Sequence, residues 1–93
     1  MHKIYKLVEQ LSLEIETATD YIHCMHKSDG DIKDKYKELA EDELEHVEKL
    51  IEIGDEYNFS KSSDENAQII WDFEKSVYKM KHAKLKVELS QID

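Results

Sequence analysis

Apolar residues recur along most of this chain at alternating steps of three and four, the spacing of a helix that buries one face. Over the first stretch Ile4, Leu7, Leu11, Ala18 and Met25 form such a seam. It is continuous only if Glu14 and Tyr21 fill the two missing positions. A second stretch repeats the feature: Ile32, Tyr36, Leu39, Leu50 and Ile53 define a seam whose two gaps are Glu43 and His46. Neighbouring stripes widen both apolar faces, with Val8, Ile15 and Ile22 on the first helix and Ala40, Leu44, Val47 and Ile51 on the second. The third stretch offers two stripes, Ile70, Phe73, Val77, Met80 and Val87 beside Trp71, Tyr78, Leu85 and Ile92.

Breaks between these stretches are few, because the chain has no proline and only two glycines, Gly30 and Gly54. The run "SDGD" (28–31) predicts a tight turn followed by an Asp N-cap. The run "GDEYNFSKSSDEN" (54–66) predicts a polar connector in which Ser62 and Glu65 resemble a capping box. Three helices near 3–28, 32–53 and 64–90 follow, in a single all-α domain over residues 1–93. The first two form an antiparallel hairpin, and a third helix with a broad apolar face packs on it or on a neighbour, with Trp71 as a core or interface anchor. No internal repeat or low-complexity tract is evident.

Charge then narrows the partners. Lys and Arg number 13 against 22 Asp and Glu, a formal net charge of -9. Such a balance repels phosphate backbones and suits cations, so nucleic acid is not the expected partner. No apolar run approaches the roughly 20 residues of a membrane span. The N-terminus enters an amphipathic pattern rather than a signal peptide, and the lone Cys24 permits no internal disulfide, so a cytoplasmic location is expected.

Candidate chemistry comes from the gaps in the seams. Glu14 lies 16 residues before Gly30 and His46 lies 16 after it. At 1.5 Å rise per residue both stand roughly 24 Å from the turn. In an antiparallel pair Glu14, Glu43 and His46 therefore meet at one level and face the same seam. One explanation is a hydrogen-bonded Glu14–His46 pair with Glu43 reaching solvent. Convergence of three ligand-type side chains favours a metal site, since carboxylate oxygens with an imidazole suit iron or manganese, and zinc is compatible.

Glu-x-x-His on one helix opposite a Glu on the preceding helix is half of a carboxylate-bridged di-iron site of ferritin-like bundles. "EIETATDY" (14–21) resembles the first-helix motif of bacterioferritins and rubrerythrins, and "ELEHVEKLIE" (43–52) resembles their second-helix motif. The likeness covers residues 7 to 53. It implies Glu14 as a terminal ligand, Glu43 as a carboxylate bridging two irons, His46 as a terminal nitrogen ligand and Tyr21 as a redox-adjacent group in a catalytic ferroxidase centre. Full ferritin-like chains carry two such helix pairs and this chain carries one. It is therefore similar to minimal encapsulated ferritins and to short phage-encoded ferritin-like chains. The resemblance implies a half-bundle completed to a four-helix bundle by a homodimer or higher oligomer, with a location inside a protein shell or virion as a further option. A non-catalytic helical assembly module that keeps the scaffold is the alternative, its polar seam residues setting register.

Other polar residues read more plainly. Glu74, Lys81 and Glu88 fall at seven-residue spacing on the third helix, either as an extra ligand or access-path group or as a Lys81–carboxylate pair or snorkelling lysine at a rim. His23 and His26 are expected at the surface, with His23 about 180° around the helix from Glu14. Cys24 has no second Cys or cationic niche to make it a nucleophile. Glu41, Asp42, Glu45 and Glu48 are expected on a solvated face, the alternative being that they raise the local concentration of cations around the site.

Overall fold

The computed structural model describes residues 2–59 and 64–91, and the described chain is helical throughout apart from its turns. A long run free of glycine and proline gives α1, His2–His26. At its end the Ser28 hydroxyl donates to the Cys24 carbonyl at 2.7 Å, satisfying one of the carbonyls a helix leaves open. The expected Asp31 cap is displaced by two residues: Asp29 is extended (φ -131, ψ 160) at the N-cap position of α2, Gly30–Glu56. Gly30 makes this abrupt entry feasible by taking φ +59, a left-handed conformation costly for residues with a Cβ. The third helix, α3, spans Ala67–Ser90. Ser62 of the expected capping box and Ile92 of the second α3 stripe lie outside the described residues, and Asn66 stands at the N-cap position.

Two clusters show how the helices run. Ile4, Leu7 and Leu11 pack with Val47 and Ile51, and with Trp71 and Tyr78. Ala18, Ile22 and Met25 pack with Ala40 and Leu44, and with Leu85 and Leu89. The start of α1 thus meets the end of α2 and the start of α3, an up-down-up arrangement of 52 × 17 × 16 Å. Each large aliphatic side chain buried here contributes about 1.5–3 kcal/mol relative to exposure. Ile15 touches both clusters, at the level where the seam of α1 carries Glu14.

The α1 seam is buried as its spacing predicts, but α2 is not. Ala40, Leu44, Val47 and Ile51 face the core, while Ile32, Leu39 and Ile53 are exposed. The centre of a three-helix arrangement lies between α1 and α3, so α3 claims the stripe that the α1–α2 pair alone would leave at the side. The same rule selects Trp71, Tyr78 and Leu85 on α3 and leaves Phe73, Met80 and Val87 exposed.

Gly54 departs from expectation too. It does not end α2; it is buried inside it, beneath the indole of Trp71. The indole ring packs tilted against Phe59 at 6.0 Å and donates from Nε1 to Asp55 Oδ1 at 3.0 Å. Lys75 Nζ binds the same carboxylate at 2.8 and 3.0 Å. Hydrogen bonding from Lys75 outweighs the opposing effect of burial and, with smaller help from the indole and from the charges of Lys75 and Lys79, holds the Asp55 carboxyl below its usual value. Because its folded pKa is depressed, Asp55 adds its full stabilisation above about pH 4 and loses it as the pH falls through the folded value. The pair is partly exposed, so this amounts to at most about 1 kcal/mol. Thermal melts of wild type and Asp55→Asn should differ at pH 7 and converge toward pH 2; a constant difference would contradict this linkage.

Candidate metal centre

Glu14 occupies the α1 seam between Leu11 and Ala18, and Glu43 and His46 lie three residues apart on α2, on neighbouring turns of one flank. One ligand atom from each side chain lies within 4.8 Å of the others. His46 Nδ1 stands 3.3 Å from Glu14 Oε2 and 3.6 Å from Glu43 Oε2. The antiparallel register thus brings together the three residues whose count from Gly30 places them at one level. Their burial is graded: the side chain of Glu43 is 18% exposed, Glu14 30% and His46 54%.

The donor set fits a metal. A point about 2.8 Å or less from all three atoms exists for any triangle this small, and small side-chain adjustments bring it to the 2.0–2.6 Å of ordinary metal–ligand bonds. Three protein ligands would leave coordination positions open, and His46 is the most exposed of the three. Around α2, Ile32, Leu39, Leu50 and Ile53 fall within roughly 80° of Glu43 and His46 at 100° per residue. The polar cluster is therefore bordered by apolar side chains on a flank turned away from α3.

Tyr21, two turns closer to the hairpin loop than Glu14, is half-buried, and its ring lies 6.3 Å from that of Tyr36. None of Glu74, Lys81 and Glu88 joins the ligand group among the described residues. Lys81 Nζ instead lies 5.2 Å from the Tyr78 ring centroid, and Lys81 and Glu88 border a shallow depression with Thr19 and His23. His23 and His26 are exposed, as expected, and His26 Nε2 lies 3.2 Å from the Glu88 carbonyl oxygen. Cys24 is a half-buried free thiol. Glu41, Asp42, Glu45 and Glu48 are all exposed, with Glu45 paired to Lys49 at 3.7 Å.

One polar residue of structural weight is hard to find from spacing. His82 is nearly buried, with Nε2 3.1 Å from the Leu44 carbonyl oxygen and 3.4 Å from Glu48 Oε1, tying α3 to α2. Its signal is its place one turn after Tyr78 on the buried side of α3. No protein-family model, curated protein or solved structure matches the chain. Among the described residues no helix is long and apolar enough to cross a membrane.

Proposed function

We propose that this chain is a ferritin-like di-iron protein in which two copies, joined through the α1–α2 flank, bind two irons and oxidise Fe²⁺ to Fe³⁺ with dioxygen. The observation that carries this reading is the close approach of Glu14, Glu43 and His46 on a flank bordered by uncovered apolar residues. A twofold pairing there doubles the set to four carboxylates and two imidazoles, the complement of a di-iron carboxylate bundle. Glu43, the most buried of the three, suits the bridging position; Glu14 and the outward His46 suit terminal ones. Manganese or zinc satisfies the same donors.

In this reading iron is substrate and supplies the redox chemistry: two Fe²⁺ would give up one electron each, and dioxygen would take the pair with two protons from solvent and leave as hydrogen peroxide. The chain's own residues hold the two cations close together, neutralise their charge with carboxylates and exclude water by burying Ile32, Leu39 and Ile53 against the second copy. Tyr21, beside Tyr36, stands two turns from the ligands as a redox-adjacent group. Storage of the product requires a large shell, built or borrowed, since a chain of this size encloses no mineral by itself.

A second reading has one observation in its favour. His46 already lies between two carboxylates, so the cluster is satisfied without metal. A non-catalytic assembly module would use that polar group to set the register of a dimer. Native mass spectrometry during anaerobic Fe²⁺ titration separates the two. Two irons per dimer are expected; an oligomer that stays iron-free at saturating Fe²⁺ would leave the assembly module as the better account.

A further inference from the structure

On the side of α3 turned away from the hairpin, Ile69, Phe73, Met80 and Val87 are 55 to 72% exposed, the largest concentration of uncovered apolar side chains on this helix. With the exposed small residues Ser76 and Ala83 they complete a series, 69, 73, 76, 80, 83 and 87, whose steps are four, three, four, three and four. That is the seam of a coiled coil, about 27 Å long and separate from the face that already packs on α1 and α2. We propose that this seam pairs antiparallel with the same seam of a second copy. The proposal does not rest on the metal reading, whose ligands lie on another flank of the molecule.

Side-chain size favours this partner and this direction. Antiparallel pairing about residue 78 sets Phe73 opposite Ala83, Met80 opposite Ser76 and Val87 opposite Ile69, so the two bulkiest side chains each meet a small one. Parallel pairing would stack Phe73 on Phe73 and Met80 on Met80 and leave Ser76 facing Ser76. The flanking residues agree. Antiparallel alignment places Asp72 near Lys86 of the other copy, twice by symmetry, and Val77 near its own counterpart. Parallel alignment would bring Lys79 and Lys84 together twice. Lys79 does meet its own counterpart near the antiparallel dyad, but it also borders a depression with Glu48 and Glu52 of its own chain. Finally, α3 is held helical by Trp71, Tyr78, Leu85 and Leu89, so pairing need not overcome the cost of helix nucleation.

The test uses the full chain carrying Leu39→Lys, which blocks the α1–α2 flank, in chelator. Light scattering should give twice the 11.0 kDa of one chain. Adding Met80→Glu should return the mass to 11.0 kDa with unchanged helical circular dichroism. Asp72→Lys should weaken the dimer at least tenfold and Asp72→Lys with Lys86→Asp should restore it. A Leu39→Lys chain that stays monomeric would overturn self-pairing and leave the stripe to a different protein. A dimer that survives Met80→Glu, or charge reversal without rescue by the swap, would equally overturn it.

Discussion

Alanine at position 54 is expected to destabilise the chain by about 2 kcal/mol, although alanine is the better helix former by about 1 kcal/mol. The reason is local. A Cβ at Gly54 falls inside the van der Waals envelope of Cζ2, Cη2 and Cε2 of Trp71, on a rigid ring rather than the tip of a flexible side chain. To make room the indole must move, and it is held on one side by Phe59 and on the other by its bond to Asp55. Shortening the ring should therefore relieve the clash: Gly54→Ala is expected to cost at least 1 kcal/mol less in a Trp71→Phe background than alone. Urea unfolding of the four proteins of this cycle measures both quantities. Additive effects would mean that the ring and the glycine do not constrain each other.

Glu43→Ala is expected to lower Fe²⁺ affinity at least 100-fold while leaving the helices formed. Loss of Glu43 removes one of the two carboxylates that face His46, and the one more shielded from solvent. Without metal the variant should be as stable as wild type or slightly more so, since Glu14 and Glu43 no longer compete for one imidazole at close quarters. Glu43→Gln, which keeps an oxygen donor and loses the charge, should fall between. Anaerobic Mn²⁺ and Fe²⁺ titrations paired with thermal melts read both sides of the prediction. Undiminished binding in Glu43→Ala would remove the basis for the site.

How far the sequence carries this picture differs from helix to helix. The α1 seam was legible because the neighbouring stripe of Val8, Ile15 and Ile22 adjoins it on the same side of the helix, so the core takes both. On α2 two stripes compete, and which one faces the core depends on where α3 lies, a fact spread over the whole fold. Leu39 and Leu44 are equally apolar; only the third helix distinguishes them. The convergence of Glu14, Glu43 and His46 was legible for the opposite reason, since an antiparallel hairpin fixes levels by counting from its turn. Gly54 misled because a glycine that ends a helix and one that admits an indole look alike until Trp71 is in position. The Trp71–Asp55–Lys75 and His82–Glu48 contacts join side chains 16 to 34 residues apart, beyond any local pattern.

The two apolar clusters meet at Ile15, level with the polar trio, and this gives the rod a waist. Packed units joined so narrowly open with separate free energies, so amide exchange should divide α1 into two blocks on either side of residues 14 and 15. A cation held by Glu14 on one helix and by Glu43 and His46 on the other would fasten the chain where its apolar grip is thinnest. Metal would then do mechanical work as well as chemical work, merging two breathing halves into one cooperative unit.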